Sequence, residues 1–398
     1  MDITITPGQL HGQIHAIPSK SHVHRLFICA AFADSPTEII CPRTSEDIEA
    51  TIQCLNGLGA RIQKTCNGYR VFPIQHISAK AELYCAESAS TLRFLLPIVG
   101  ALGIEATIQM QPSLSKRPLS PLREELERCG CKILNIDANT LLCTGKLRPG
   151  AFSIRGHISS QFISGMLFAM ALMEGRSHLT ICDECVSKPY VGLTQQVLKL
   201  FGVDTEDFTV TGSFPFQSPK YVTAEGDWSS AAFFLAAEKL GSKITYSGLD
   251  RNSVQADRMI TTLLQTLDSC SSIDITDVPD LLPILAVAAG ALNGATFTNT
   301  ARLQYKESDR ISAVVSMLEH LGAETTVSEN CLTVHPAVYR QCIIDSYNDH
   351  RIAMAAAIAA TVAIGPITIQ GAECVAKSYP SFWEDFRNLG GNYEQYLR

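Results

Sequence analysis

The stretch Leu55-Asn56-Gly57-Leu58-Gly59-Ala60-Arg61-Ile62 has leucines at helical spacing, followed by a glycine. Glycine at that point is typical of a left-handed C-terminal cap, so the stretch predicts an amphipathic helix that ends near Gly59 and leads into a strand. Five further copies carry the glycine, or its equivalent, at Gly130, Gly202, Asp268, Gly322 and Gly390. Six copies in 398 residues predict a fold built from repeats.

A second kind of helix alternates with the first. These segments open with residues that can cap free backbone N–H groups, and most continue with apolar residues on nearly every side. Helices that are apolar all round must be buried, so we expect them inside the protein. The segments are 19–33, 88–103, 159–175, 227–241, 279–290 and 348–365.

Each repeat then holds a buried helix, a surface helix and short β-branched strands such as Ile3-Thr4-Ile5. Outer sheets with helices packed inside satisfy both kinds of helix, and the chain length fits two domains of three repeats each. The Pro- and Ser-rich run 213–219 indicates one crossover between domains, and we place the other just before Lys20. The predicted domains are residues 1–15 plus 222–398, which form a discontinuous domain, and residues 16–221, which form an inserted domain.

Composition narrows the function classes. Hydrophobic residues make up 46% of the chain, which predicts large buried cores. Its net charge of −7 indicates no broad basic surface for nucleic acid. Its 14 cysteines are too sparse for a disulfide scaffold, and its first residues do not read as a secretory signal. The longest apolar runs fall short of the ~20 residues that cross a bilayer. We therefore expect a cytoplasmic protein with no nucleic-acid or membrane partner, and nothing requires an oligomer, so we expect a monomer.

Polar and charged residues lie where the buried helices begin. If those helices run parallel, their N-termini gather on one face of each domain and add partial positive charge there. Two such faces opposed across a cleft would hold anions. A single serine at such a position is equally well explained as a cap, but lysines and arginines that start apolar helices need partners. The residues are Lys20, Ser21, Arg25, Ser88, Arg93, Ser159, Ser160, Gln161, Asp280, Asn348, His350 and Arg351.

Four short segments contain charged residues that helix capping alone does not explain. Segment 18–25 places Lys20 and Arg25 around one helix start, where phosphate or carboxylate is the natural partner. Lys306 and Arg310 are four residues apart with Glu307 between them, which fits either a site or a solvated charged turn. The two remaining segments are 277–280 and 348–355.

Together these segments resemble the 5-enolpyruvylshikimate-3-phosphate (EPSP) synthase family over essentially the whole chain. The resemblance implies an α/β fold, a two-domain inside-out α/β barrel in which each domain has three βαβαββ units with buried parallel helices. It implies transfer of the enolpyruvyl group of phosphoenolpyruvate to the 5-hydroxyl of shikimate 3-phosphate, with release of phosphate. No metal or organic cofactor is implied. The matching segments are Ser19-Lys20-Ser21 with Arg25, Arg117-Pro118, Ser159-Ser160-Gln161-Phe162, Ser187-Lys188-Pro189-Tyr190, Pro279-Asp280, Lys306-Glu307-Ser308-Asp309-Arg310, Asn348-Asp349-His350-Arg351 and Lys377.

The resemblance also implies roles for single residues. Asp280, Glu307 and Lys20 are the catalytic candidates, with the division of proton transfer among them left open. Ser88, Ala89, Lys306 and His350 are further substrate-binding candidates, besides Asp280. Shikimate 3-phosphate is assigned to Lys20, Ser21, Arg25, Ser159, Ser160, Gln161, Ser187 and Tyr190. Phosphoenolpyruvate is assigned to Arg93, Arg117, Arg310, Arg351 and Lys377.

The sequence departs from the family pattern ahead of Arg93. Glu87 stands where the family more often has Asn, and Ala89 stands where it has Gly. The methyl group of Ala89 would narrow the phosphoenolpyruvate pocket, so we expect reduced sensitivity to glyphosate, which is longer than phosphoenolpyruvate. Glu87 should weaken the binding of an anion unless a nearby cation neutralises it.

Two other functions stay open at this point. The related enolpyruvyl transferase of cell-wall synthesis, which acts on a nucleotide sugar, typically has a reactive cysteine where this chain has 113–117, which contains none. A repeat-built protein that binds phosphorylated metabolites or RNA ends would not need the carboxylates Asp280 and Glu307. Cys182 and Cys185 have the spacing of half a zinc site, but nothing completes it, so no metal is expected.

Overall fold

In the computed structural model of the chain, residues 1–212, 214–269 and 271–396 are described. Contacts between residues divide it into two compact units, and each is described by itself. The terminal unit consists of Met1–Ile17 and Gly226–Arg398, and the inserted unit consists of Pro18–Glu225.

The units divide at 17/18 and 225/226, compared with 15/16 and 221/222 in the predicted domains, and the first division agrees with a crossover just before Lys20. A break at 221/222 would cut the strand Tyr221–Thr223, which pairs in parallel with Thr37–Ile40 of the inserted unit. Ala16 belongs to the terminal unit, because its N–H donates to the carbonyl oxygen of Ser247. Strand pairing, which composition does not reveal, therefore sets the boundaries.

The Pro- and Ser-rich run is not the crossover. Phe216 forms an isolated parallel bridge with Ala33, which places this segment within the inserted unit. Ser213, the first residue of the predicted run, lies outside the described residues. The run instead leads the chain into the last strand of the inserted unit.

The strands and helices are numbered along the chain. The strands are β1 (Asp2–Thr6), β2 (His11–His15), β3 (Thr37–Ile40), β4 (Arg61–Thr65), β5 (Gly68–Phe72), β6 (Lys80–Tyr84), β7 (Glu105–Gln109), β8 (Cys131–Asn135), β9 (Thr140–Gly145), β10 (Ala151–Ile154), β11 (Gly175–Ile181), β12 (Thr209–Gly212), β13 (Tyr221–Thr223), β14 (Lys243–Ser247), β15 (Ser271–Asp274), β16 (Ala295–Thr298), β17 (Thr325–Ser328), β18 (Cys331–Val334), β19 (Cys342–Asp345), β20 (Ile367–Gln370) and β21 (Asn392–Tyr396). The helices are α1 (Lys20–Ala31), α2 (Glu46–Gly57), α3 (Ala89–Leu102), α4 (Pro112–Ser115), α5 (Leu122–Arg128), α6 (Ser160–Leu172), α7 (Lys188–Leu200), α8 (Trp228–Lys239), α9 (Ile260–Thr266), α10 (Leu282–Ala291), α11 (Arg310–Leu321), α12 (His350–Ala360) and α13 (Phe382–Asn388).

Within the described residues, each unit contains three sheets of its own. In the inserted unit their strand orders are β13-β3-β5-β4, β6-β7-β9-β8 and β10-β11-β12. In the terminal unit they are β14-β2, β15-β16-β18-β17 and β19-β20-β1-β21. The four-stranded sheets share one arrangement, a parallel pair continued by two antiparallel strands, so the repeats seen in the sequence are repeats of topology.

Three of these sheets join strands from distant parts of the chain, and one of them is the β14-β2 pair. In the β19-β20-β1-β21 sheet, β1 lies between β20 and β21 and pairs antiparallel with both. In the β13-β3-β5-β4 sheet, β13 pairs with β3 across more than 180 residues. The terminal unit therefore needs both ends of the chain.

The buried helices are α1, α3 and α6 in the inserted unit and α8, α10 and α12 in the terminal unit. Five of them begin at a side chain that accepts a hydrogen bond from a backbone N–H, and these caps are Ser19, Ser88, Ser159, Asp227 and Asp349. The exception is α10, which begins at Leu282 after the 3-10 turn Pro279–Leu281 and has no such cap. Asp280, predicted at the mouth of this helix, therefore lies in the turn before it.

The amphipathic helices end as predicted. Gly59, Gly130, Gly202, Gly322 and Gly390 all have positive φ, between 80° and 112°. These values belong to the left-handed region, which glycine enters without steric cost. The fourth copy ends without a left-handed residue at Asp268. Within the described residues, no helix is both long enough and apolar enough to span a membrane.

Candidate active site

Arg25 joins the starts of three helices in the inserted unit. It is almost fully buried, and its guanidinium donates hydrogen bonds of 2.6 to 3.4 Å to four oxygen atoms. The acceptors are the carbonyl oxygens of Ser21 and Tyr190 and the hydroxyls of Ser164 and Thr194. Burial lowers the pKa of Arg25 to about 10, so it remains charged at neutral pH. The N-terminal ends of α1, α6 and α7 therefore meet around a cation.

Arg93 makes the corresponding junction at the start of α3. Its Nη1 donates to Gln161 Oε1 at 2.7 Å, and its Nη2 donates to the carbonyl oxygen of Pro118 at 2.9 Å. Gln161 Nε2 in turn donates to Ser90 Oγ at 3.0 Å. These bonds bring the starts of α3 and α6 next to the segment that carries Arg117.

Lys20, the first residue of α1, is paired with a carboxylate that the sequence analysis missed. Its Nζ lies 2.7 Å from Asp47 Oδ2, and the two side chains are 16% and 7% exposed. Asp47 belongs to the first turn of α2, where an acidic residue favours the helix dipole, so its position in the sequence does not indicate the contact with Lys20. Lys20 is thus a charged group that is held in place but still reaches the surface.

His22 and His24 lie inside the inserted unit. Burial lowers their pKa values, to about 4 and about 3 respectively, so both are neutral at pH 7. The Nδ1 of His22 accepts a hydrogen bond from the N–H of Glu225, and the Nδ1 of His24 lies 2.7 Å from Thr51 Oγ1. Their roles in this structure are those of buried hydrogen-bonding groups.

The remaining predicted residues of the inserted unit lie at or near helix starts. Ser187 directly precedes α7 with a left-handed backbone, at φ 52°, a conformation that is uncommon outside glycine and is enriched at functional sites. Glu87 accepts a hydrogen bond of 2.5 Å from Ser113 Oγ, in the short helix α4 that precedes Arg117. The others are Ser21 in the first turn of α1, Ser88 and Ala89 at the start of α3, Arg117 after α4, Ser159 and Ser160 at the start of α6, and Tyr190 in the first turn of α7.

In the terminal unit, Arg310 contacts three carboxylates. Its side chain is 0% exposed, and its Nη1 and Nε lie 2.7 Å from Asp280 and 3.0 Å from Asp349, respectively. Its Nη2 donates to Glu307 Oε2. A guanidinium with this set of partners orders the carboxylates around it.

Asp280 is the point on which the cations of this unit converge. Its carboxylate lies 3.3 Å from Lys306 Nζ, 2.7 Å from Arg310 Nη1 and 3.0 Å from Arg351 Nη2. Burial raises its pKa, but the charges of Arg351, Lys306 and Arg310 outweigh that effect and hold the pKa well below its usual range. Asp280 is therefore an ionised acceptor that is 20% exposed.

His350 and Lys377 are both buried in the terminal unit. His350 begins α12, and its Nδ1 lies 4.0 Å from Asp349 Oδ1. Lys377 ends the 3-10 segment Ala372–Lys377, which packs against α12. The structure thus places both residues with the elements that border Asp349.

Asp257 is a buried acid that the sequence analysis did not find. It accepts a hydrogen bond from Ser229 Oγ. Burial raises its pKa to about 6, the charge of Asp280 adds to that rise, and Arg351 opposes it. It lies in the 3-10 turn Ala256–Met259 and not at the start of a buried helix, so no local pattern sets it apart from a surface acid.

The two clusters have different chemistry. The inserted unit presents fixed cations, hydroxyls and an amide beside helix N-termini, a set that binds phosphate and carboxylate. The terminal unit presents carboxylates held among cations, a set that can accept and return protons. In the described part of the chain, no group of His, Cys, Asp and Glu side chains is arranged to hold a metal ion.

Two curated proteins that are similar to this chain share one name. The 3-phosphoshikimate 1-carboxyvinyltransferase of Clostridium kluyveri is 37% identical over 421 residues, covering 99% of this chain and 98% of that protein. The protein of the same name from Methanocorpusculum labreanum is 32% identical and covers 99% of this chain.

A solved structure of EPSP synthase from Acinetobacter baumannii matches the fold. Its TM-score is 0.80 at 24% identity, with 99% of each chain covered. The sequence model of the family described as EPSP synthase (3-phosphoshikimate 1-carboxyvinyltransferase) matches residues 5–386. That match spans nearly all of both units, and with it the chain belongs to the EPSP synthase family.

Proposed function

We propose that this chain transfers the enolpyruvyl group of phosphoenolpyruvate to the 5-hydroxyl of shikimate 3-phosphate and releases phosphate. The observation that carries the proposal is the convergence of Lys306, Arg310 and Arg351 on Asp280, all within 3.3 Å. A carboxylate kept ionised in this way can accept a hydrogen bond from a substrate hydroxyl while the cations attract anionic groups. Membership of the family supports the same reaction.

The fixed cations answer the main physical difficulty of this reaction. Both substrates are polyanions, so bringing them together costs Coulomb energy unless positive charge lies beside them. We assign shikimate 3-phosphate to Lys20, Ser21, Arg25, Ser159, Ser160, Gln161, Ser187 and Tyr190. We assign phosphoenolpyruvate to Arg93, Arg117, Arg310, Arg351 and Lys377. Arg310, which is fully buried, holds Asp280 and Glu307 in place for that substrate.

The chemistry is an addition followed by an elimination. In the addition, the 5-hydroxyl oxygen bonds to C2 of phosphoenolpyruvate, the hydroxyl proton leaves, and the methylene carbon gains a proton. In the elimination, the bond from C2 to the phosphate oxygen breaks, and the methyl carbon gives up a proton as the double bond forms again. We assign these proton transfers to Asp280, Glu307 and Lys20, with the division among the three left open.

A phosphate-release assay tests the proposal. The purified protein should release phosphate from phosphoenolpyruvate when shikimate 3-phosphate is added and should not do so with a uridine nucleotide sugar. Activity with only the nucleotide sugar would favour the cell-wall enzyme. Activity with neither acceptor would favour a binding protein, and either result would overturn the proposal.

The pH dependence of the reaction should report Lys306. Burial lowers the pKa of Lys306 to about 8, although Asp280 opposes that shift. As the pH rises through this value, Lys306 loses its proton and Asp280 keeps only its two arginine partners. We therefore expect kcat/KM to fall on the alkaline side with an apparent pKa near 8. The measurement is a kcat/KM profile from about pH 6 to about pH 10.

Lys306→Arg provides the check on this assignment. Arginine keeps its charge throughout that range, so the alkaline fall should disappear from the variant's profile. An unchanged fall in Lys306→Arg would show that a different group titrates.

Ala89 should set the response to glyphosate. It is the first residue of α3 and is buried beside the cap Ser88. By the resemblance to the family, its methyl group narrows the space left for a ligand longer than phosphoenolpyruvate. We expect Ala89→Gly to lower the glyphosate inhibition constant by about tenfold or more, the order of effect of one methyl group in a tight pocket. Equal inhibition constants in the two proteins would contradict this.

The cellular setting is also a proposal. Cysteines in the described residues are free thiols, many of them buried, which suits a reducing compartment. The net charge of −7 does not favour nucleic acid as a partner. We propose that the chain acts in the cytoplasm as a monomer with small-molecule substrates only.

A further inference from the structure

Two loops deliver part of the proposed shikimate 3-phosphate site. The parallel strands β10 and β11 pair with Ile154 opposite Ile181, so their carboxyl ends lie side by side. The loop 155–159 leads from β10 into α6, and the loop 182–187 leads from β11 into α7. Carboxyl ends of adjacent parallel strands are where α/β sheets place ligand-binding loops.

Asp183 joins these two loops. Its Oδ1 accepts hydrogen bonds from the backbone N–H of Gly156 at 2.5 Å and of His157 at 3.2 Å. Its Oδ2 lies 2.5 Å from His157 Nδ1. One carboxylate in the second loop therefore fixes two consecutive amides and a side chain of the first.

The backbones of the loops also fit closely. The N–H of Cys182 donates to the carbonyl oxygen of Ile154 at 3.0 Å, and the N–H of Val186 donates to that of Gly156 at 3.3 Å. A Cβ atom at Gly156 would lie 2.8 Å from the carbonyl oxygen of Glu184, so only glycine fits there. The loops therefore have one relative placement, and Asp183 is its side-chain anchor.

The side chains whose positions depend on this placement include Ser159, two residues after His157, and Ser187. Ser159 caps α6 by accepting a hydrogen bond from the N–H of Gln161, at 3.3 Å. Ser187 holds a left-handed backbone, which persists only where its surroundings fix it. A shift of either loop would move hydroxyl groups that must meet a phosphate or a ring hydroxyl.

We propose that Asp183 is a positioning residue that sets the affinity for shikimate 3-phosphate by locking loop 155–159 against loop 182–187. The inference rests on the proposed function, since it takes the starts of α6 and α7 as the binding surface for that substrate. Asp183 touches no substrate in this account. It acts through Gly156 and His157 on Ser159 and Gln161.

The test compares Asp183→Ala with Asp183→Asn. Alanine removes all three contacts, so the Kd of shikimate 3-phosphate alone, measured by calorimetry, should rise about tenfold or more, because small misplacements of binding groups are costly. Asparagine keeps an oxygen that can accept from both backbone amides, so its Kd should stay within about threefold of the unsubstituted protein. The KM for phosphoenolpyruvate should change less than the Kd of shikimate 3-phosphate in both variants.

Two further variants complete the design. Glu174→Ala removes an exposed acid just before the opposite end of β11 and should leave the Kd unchanged. His157→Ala removes one of the three contacts and keeps both amides, so it tests the lock even if Asp183→Ala fails to fold, with an expected rise in Kd smaller than that of a full loss.

The outcomes separate this inference from the proposed function. If the unsubstituted protein shows no activity with shikimate 3-phosphate, the proposed function fails. If it is active but neither Asp183→Ala nor His157→Ala weakens binding, or if Asp183→Asn weakens it as much as Asp183→Ala, the positioning role is overturned.

Discussion

Replacing Arg310 with methionine should lower the free energy of unfolding by about 3–5 kcal/mol, the usual cost of removing one partner from a buried ion pair. Methionine occupies similar space but leaves Asp349, which is 0% exposed, without its cation. Asp280 loses the nearest of its three cations in the same step. The measurement is urea-induced unfolding, followed by a signal from the terminal unit.

Matched variants isolate the charge effect. Arg340→Met removes an exposed arginine of the same unit and should change the unfolding free energy by less than about 0.5 kcal/mol. Adding Asp349→Asn to Arg310→Met should recover part of the loss, because the uncompensated buried charge is then gone. A loss below about 1 kcal/mol for Arg310→Met would show that the cluster does not depend on this cation.

Replacing Glu307 with glutamine should reduce phosphate release by about a hundred- to ten-thousand-fold, the range attributed to a positioned acid or base. Glutamine has the same shape and can still accept the hydrogen bond from Arg310, so the fold around it should survive. The change removes the negative charge of the side chain and, with it, the ability to carry a proton at this position. The measurement is kcat with both substrates saturating, together with the KM for each.

The control for this substitution lies in the helix that follows. Glu319→Gln alters an exposed carboxylate near the end of α11 and should leave kcat unchanged. If Glu307→Gln keeps more than about a tenth of the activity, Glu307 is not the group that handles the methylene proton. Asp280 and Lys20 would then be the remaining candidates.

Local sequence signals predicted the repeats well. A glycine after a leucine-spaced helix has one strong structural meaning, and Gly59 and Gly322 both have the left-handed backbone that it implies. Likewise, Lys20 and Arg93 stand at the starts of buried helices as expected. These features depend on neighbours a few residues away, which a sequence displays directly.

Pairing between distant residues was not predictable. Asp47 is paired with Lys20, and the pKa of Asp257 depends on the charges of Asp280 and Arg351. Neither acid has a local sequence pattern that sets it apart from a surface acid. The second crossover was misplaced for the same reason, since β13 is assigned by its pairing with β3. Sequence reasoning therefore found the cations and missed several of the anions that hold them.

The placement of β1 between β20 and β21 has a consequence for synthesis on the ribosome. The inserted unit can assemble its sheets once residue 225 has emerged, because β13 ends at Thr223. In the terminal unit, β1 cannot pair with β21 until that last strand, Asn392–Tyr396, has been translated. The inserted unit should therefore fold before the terminal unit during synthesis. A chain truncated before β21 should contain a folded inserted unit and a terminal unit whose β19-β20-β1-β21 sheet is incomplete.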